Sequence, residues 1–133
     1  MKLIIHSDGG ARGNPGPAGI GAIINSEEGQ VVAEISQFLG HATNNQAEYQ
    51  ALLAGLEKAV ILGADTLDCF LDSELVVKQI NREYKVKNKE LAPLFLKVYN
   101  LTTKFKNIRF IHIPREQNKE ADRLANEAMD RGA

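Results

Sequence analysis

The chain opens with Leu3-Ile4-Ile5, runs into His6-Ser7-Asp8, and then meets Gly9-Gly10 and the breaker-rich Gly13-Asn14-Pro15-Gly16-Pro17. A short apolar run bounded this way predicts a strand over residues 3–8 with Asp8 at its exit. Ala18 to Asn25 and Val31 to Leu39 are two further apolar runs, joined by Ser26-Glu27-Glu28-Gly29, and together they predict an antiparallel hairpin. From Thr43 the period lengthens. Ala47, Ala51, Leu52, Leu56, Ala59 and Val60 recur near i, i+4 and i+8 up to Gly63, and Thr43 and Gln46 have the spacing of a capping box. Thr66 to Asp72 reads as a buried strand with a second carboxylate at its end, followed by a short helix through Ile80. Asn88 to Phe105 carries Leu91, Leu94, Phe95, Val98, Leu101 and Phe105 on one helical face, with Pro93 tolerable only in a first turn. Ile108 to Ile113 is the last strand, residues 114–117 a connector, and Ala121, Leu124, Ala125, Ala128 and Met129 the stripe of a final helix. The order β-β-β-α-β-α-α-β-α predicts a single α/β domain over residues 1–133, with a five-stranded mixed sheet and helices on both faces.

Composition fits one such domain: 133 residues, 44% apolar, 25% charged. A chain of this size buries roughly two-thirds of its unfolded surface and needs no covalent staples. Cys69 is the sole cysteine, which excludes an internal disulfide framework and points to a reducing cytoplasm. No secretory leader and no run of about 18 apolar residues is present, so neither export nor membrane insertion is expected.

The net charge of −1 argues against a polyanionic partner until its distribution is read. Residues 1–77 sum to −7, residues 78–109 to +7 and residues 110–133 to −1. An acidic half therefore adjoins a basic stretch. Within the acidic half, Asp8 and Asp72 end apolar strands and Glu48 flanks a helical stripe, while Asp122 flanks another near the C-terminus. Singly, each is equally a turn carboxylate or a first-turn acid favoured by the helix dipole. Together, two strand exits and two helix starts would converge four carboxylates on one spot. Such a cluster requires compensating charge, and hard oxygen ligands suit Mg²⁺ or Mn²⁺. Two ions about 4 Å apart would serve phosphodiester hydrolysis, with the basic stretch meeting the polyanion. The glycine-rich run is no nucleotide phosphate loop, because it matches neither fingerprint and enters a strand.

The segments Ser7-Asp8-Gly9-Gly10-Ala11-Arg12-Gly13-Asn14-Pro15-Gly16-Pro17, Thr43-Asn44-Asn45-Gln46-Ala47-Glu48, Leu71-Asp72-Ser73 and Glu120-Ala121-Asp122-Arg123-Leu124-Ala125 occur in this order across nearly the whole chain. In these motifs the sequence resembles type 1 ribonuclease H. The resemblance implies a ribonuclease H-like fold and endonucleolytic hydrolysis of the RNA strand of RNA–DNA hybrids, leaving 5′-phosphate and 3′-hydroxyl ends. It assigns Asp8, Glu48, Asp72 and Asp122 as ligands of two Mg²⁺ ions, with Mn²⁺ as an alternative. Asp8 would bridge the ions, and Glu48 would also reach a ribose 2′-hydroxyl. It implies hybrid recognition by the glycine loop (Gly9, Gly10), Asn14, Asn44 and Asn45, since a 2′-hydroxyl both donates and accepts. Thr43 and Asn88 would form a pocket for a DNA phosphate, although Thr43 equally fits a pure N-cap.

Two departures accompany the resemblance. Larger members carry a basic, Trp-containing protrusion, whereas this chain has no Trp and only residues 83–91 between the corresponding helices, with Lys85, Lys87 and Lys89 keeping some positive charge. Many members also have a loop histidine before the last acid. Here the connector reads Pro114-Arg115-Glu116-Gln117-Asn118, leaving Arg115 or Glu116 as substitutes and His112 inside a strand. His6 shares the strand face of Asp8, where it either supports that acid or packs in the core, and His41, just before Thr43, is a candidate contact for a DNA phosphate. The expected protein is a monomeric cytoplasmic enzyme. The alternative is an inactive hybrid-binding module of the same fold, which would gain nothing from clustering acids beside phosphate.

Overall fold

The computed structural model describes residues 1–132. Its elements are β1 (Lys2–Ala11), β2 (Gly16–Ser26), β3 (Val31–Ala42), α1 (Asn44–Leu62), β4 (Thr66–Leu71), α2 (Glu74–Ile80), α3 (Ala92–Thr102), β5 (Asn107–His112) and α4 (Lys119–Arg131), with a 3₁₀ turn at Arg115–Gln117 before α4. The five strands lie in the order β3-β2-β1-β4-β5. β1, β2 and β3 pair antiparallel, as their short connections allow, while β1–β4 and β4–β5 are parallel and are joined through helices. This is the mixed α/β sheet expected from the order of elements.

Alternation along β2 shows that both faces are covered. Ala22 faces Gly55 of α1, while its neighbour Gly21 lies against Ala121 of α4. The main core lies on the α1 side, where Leu3, Ile5, Tyr49, Leu52, Leu56, Leu67, Cys69, Leu71, Val76 and Val98 are buried. α1 is buried over much of its circumference, and Tyr49 Oη donates to Gln79 Oε1 (2.6 Å), tying it to α2. No helix among the described residues is long and apolar enough to cross a membrane.

Element ends differ from the sequence expectation most at β1, β3 and the third helix. β1 does not stop at Asp8, because its ladder with β2 continues through Asp8↔Gly21 to Ala11↔Ala18. Tertiary pairing overrides the turn propensity of Gly9-Gly10. β3 runs on to Ala42 past an irregularity in the pairing, where Phe38 and Gly40 face consecutive residues of β2 and Gly40 adopts φ 82°. The third helix is shorter than residues 88–105. Asn88 Oδ1 accepts from Glu90 N (2.7 Å) and forms a turn, Pro93 falls in the first turn of α3, and Leu91 and Phe105 reach the core from outside the helix.

Candidate active site

The parallel ladder between β1 and β4 ends at Ser7↔Leu71, so Asp8, still paired with Gly21 of β2, and Asp72, the first residue past β4, stand side by side where the two strands part. Glu48 is delivered to them by α1. The start of that helix is set by Thr43: Gln46 N donates to Thr43 Oγ1 (3.1 Å) and Thr43 N donates to Gln46 Oε1 (2.8 Å), the expected reciprocal cap. The backbone of α1 then presses against Gly9, where an added Cβ would lie 2.7 Å from Glu48 N and closer still to the Ala47 carbonyl. A glycine is required here for helix–strand approach. Asp122 comes from the first turn of α4, across the other face of the sheet.

One oxygen from each of Asp8, Glu48 and Asp72 lies within 4.8 Å of the others. Asp122 stands beside this trio on the cleft wall, with Arg115 Nη2 3.6 Å from its Oδ1. Asp8 and Glu48 are nearly fully buried. Burial, together with the charges of Asp72 and Asp122, pushes Asp8 from 3.8 up to about 7, against the hydrogen bond with Glu48 that pulls it down. Burial and the Asp8 charge hold the Glu48 carboxyl well above its ordinary range. Glu48 Oε2 is buried without any hydrogen-bond partner among the described residues. A buried, unsatisfied carboxylate oxygen beside two further carboxylates costs free energy unless a cation meets it. The donor set is all oxygen, which fits a hard divalent ion.

The acids open into a cleft of about 510 Å³ that Gly9, Gly10, Asn44 and Asn45 also line. Gly10 is not crowded: a Cβ there would make only ordinary contact, 3.8 Å from Met129 Cε and 3.9 Å from Asn44 Oδ1. Asn44 Oδ1 accepts from Ala11 N (2.8 Å), and Asn14 Oδ1 accepts from Asn44 N (3.1 Å), tying the glycine loop to the start of α1. These bonds engage the amide oxygens and leave the Nδ2 groups as donors. Thr43 and Asn88 lie outside the cleft lining and are linked indirectly, since Gln46 Nε2 donates to Glu90 Oε2 (3.4 Å) beside the Asn88 turn. His6 stacks on Phe70 (centroids 4.9 Å) and burial lowers its pKa, so packing accounts for it. His41, His112 and Glu116 do not line the cleft, whereas Arg115 does.

Sequence reasoning missed four lining or supporting residues: Arg12, Ser73, Asn118 and Asn126. Ser73 caps α2 through Val76 N (3.3 Å) directly after Asp72, and Asn126 Nδ2 donates to Asp122 O (2.9 Å). Asn118 Nδ2 donates to Ser7 O (2.9 Å) and Asn118 O accepts from Asp122 N (3.1 Å), joining two of the acid-bearing elements. The i+4 spacing of Asn126 from Asp122 and the place of Ser73, next to Asp72 at the start of α2, were local signals; nothing local marks Arg12 or Asn118.

A family model described as "Reverse transcriptase-like" matches residues 6–128. Ribonuclease HI of Halobacterium salinarum is 44% identical over 129 residues, covering 97% of this chain and 65% of its own length. The solved N-terminal RNase H domain of Rv2228c from Mycobacterium tuberculosis superposes with a TM-score of 0.95 at 47% identity, over 98% of this chain and 100% of that one. The chain belongs to the ribonuclease H family. Another solved ribonuclease H, LC11-RNase H1 in complex with an RNA/DNA hybrid, matches with a TM-score of 0.92 at 45% identity, over 97% of each chain. The bifunctional protein Rv2228c itself is 48% identical over 134 residues, and this chain spans 37% of its length. The ribonuclease H fold thus accounts for the topology that delivers the acids to one cleft.

Proposed function

We propose that the protein is a ribonuclease H, hydrolysing the RNA strand of RNA–DNA hybrids endonucleolytically to 5′-phosphate and 3′-hydroxyl ends. The observation that carries this reading is the convergence of Asp8, Glu48 and Asp72, the first two buried, with Glu48 Oε2 unpartnered among the described residues. Two divalent ions, Mg²⁺ or Mn²⁺, held by Asp8, Glu48, Asp72 and Asp122, would supply the charge that activates water and stabilises the leaving oxygen. The chain's own residues position the strand. Gly10 leaves room for the backbone of the nucleic acid, and the Nδ2 groups of Asn14, Asn44 and Asn45 offer donors to a 2′-hydroxyl, the group that separates RNA from DNA. Thr43 and Asn88, which lie outside the cleft lining, are proposed for the DNA strand. The cleft is built by one chain, so a monomer suffices. The single buried Cys69 suits the cytoplasm.

The test is cleavage of labelled RNA–DNA hybrid beside double-stranded RNA, single-stranded RNA and duplex DNA, with Mg²⁺, with Mn²⁺ and with chelator. The RNA of the hybrid should be cut, and chelator should stop it. Asp8→Asn and Asp72→Asn should each lower the rate by about a hundred- to a thousandfold, the scale of losing one electrostatic stabiliser, with an unchanged far-ultraviolet spectrum. Equal cutting of duplex DNA, or normal turnover by either variant, would refute the proposal.

A further inference from the structure

Arg12 lines the acidic cleft, together with Asp8, Asn44 and Asp72. Among the described lining residues the other cation is Arg115, which already faces Asp122. The Arg12 guanidinium is turned instead to Asp130 in the last turn of α4, with Nη2 2.6 Å from Oδ1, and both side chains are largely exposed, at 49% and 67%. Its backbone is held from both sides, because Arg12 N donates to Pro17 O (2.8 Å) and Ala11 N donates to Asn44 Oδ1. The long side chain is therefore free to swing from a fixed point on the rim.

The wall facing this rim is α4. Asp122, Ala125, Asn126 and Met129 line the cleft at i, i+3, i+4 and i+7, and Asp130 ends that row. Asp130 is eight residues on from Asp122, about 12 Å along the axis, so the Arg12–Asp130 pair sits beyond the reacting centre, where neighbouring phosphates of a bound strand would pass. An exposed ion pair contributes little to stability. A guanidinium, by contrast, matches a phosphate with two parallel hydrogen bonds. Asp130 holds the guanidinium at the far end of the wall, in an exposed pair that a phosphate can displace.

We propose that Arg12 is a phosphate-binding residue of the cleft, parked on Asp130 until a nucleic-acid strand takes the guanidinium over. The identity of the polyanion rests on the function proposed above; the exchange itself does not.

Binding of a labelled RNA–DNA hybrid and of duplex DNA would be followed by anisotropy between 50 and 200 mM salt. Ca²⁺ would replace Mg²⁺, because its looser coordination balances the acids' charge without enforcing octahedral geometry. Asp130→Asn should tighten hybrid binding by up to about fivefold, the ceiling set by an exposed pair. Arg12→Gln should weaken it several-fold and make the log–log salt slope shallower by about 0.9, one phosphate contact. The double variant should behave as Arg12→Gln, and Arg12→Lys should restore the slope. An Asp130→Asn variant that binds no tighter, or an Arg12→Gln variant with an unchanged slope, would overturn the exchange. If the wild-type protein failed to prefer or cut the hybrid, the proposed function would fail, while the same slopes measured on duplex DNA would still decide the role of Arg12.

Discussion

Glu48 carries the electrostatic stress of the site. Its buried carboxyl and that of Asp8 are both raised, so the folded protein retains protons that the unfolded chain releases above about pH 4. Their contribution is favourable below the unfolded value and is lost as pH rises through about 7, the value for Asp8. Metal-free protein should accordingly melt at a lower temperature at pH 8 than at pH 5, and Glu48→Gln should flatten that difference. Added Mg²⁺ should raise the melting temperature at pH 8 in the wild type and much less in Glu48→Gln, because only the folded state assembles the ligands. Superimposable melting curves for the two proteins across pH and Mg²⁺ would contradict this account. Asn118 acts at the same scale by different means. It is 1% exposed, and replacing it by Ala should cost about 2 kcal/mol, the range for leaving a buried polar partner unsatisfied, as read by urea denaturation. The acids were singled out only as a set, by two strand exits, two helix starts and the motifs that hold them, because each alone reads as a turn or first-turn carboxylate. Asn118 was not, since its partner Ser7 lies 111 positions away.

At the scale of elements, close approach decides where the acids stand. α4 lies so near β2 that a Cβ on Gly21 would come within 2.5 Å of Ala125 N and 2.8 Å of Leu124 Cβ. Gly21→Ala should therefore lift the helix, destabilise the fold by about 1–3 kcal/mol and carry Asp122 away from Asp8. A displacement near 1 Å is enough to lower turnover by about a hundredfold. Denaturation and turnover measured on the same preparation check both effects. Gly10→Ala, whose Cβ would make only ordinary contacts at 3.8 Å and beyond, should leave stability nearly unchanged, so equal destabilisation by the two variants would show that packing distance is not the cause. The type and order of every element followed from periodicity, and the Thr43–Gln46 cap from its spacing. The continuation of β1 through Gly9-Gly10 did not, because a ladder with β2 supplies what local propensity withholds.

Across the whole molecule, charge is sorted by position. Asp68 is a buried acid too, yet its surroundings are opposite to those of Asp8. Arg109 Nε and Nη2 donate to its two oxygens (2.8 and 2.9 Å), and Lys2 Nζ lies 3.0 Å away. These partners, Arg109 foremost, hold its carboxyl below the usual range, so its stabilising share is present above about pH 4 and lost on acidification. Asp68→Ala should cost about 2 kcal/mol in stability and leave hybrid cleavage intact, separating a structural acid from those in the cleft. The basic stretch makes a second whole-molecule prediction. Lys85, Lys87 and Lys89 are exposed between α2 and α3, and replacing all three by Gln should weaken hybrid binding and flatten its salt dependence by up to about 0.9 per phosphate contact. An unchanged slope would make them an ordinary solvated face.

The amino-acid order by itself determined the α/β class, the succession of elements, the four acids and the uneven charge, because each is written in spacing, composition and motif over a few residues. Only the tertiary structure decided that the ladder between β1 and β4 ends at Ser7↔Leu71, which sets Asp8 beside Asp72. It also decided that Gly9 and Gly21 admit helices close enough to add Glu48 and Asp122, that one Glu48 oxygen has no hydrogen-bond partner among the described residues, and that Arg12 rests on Asp130. Register, approach distance and ion pairing are relations between residues far apart in the chain. Packing of the whole molecule settles them, and no local pattern encodes them.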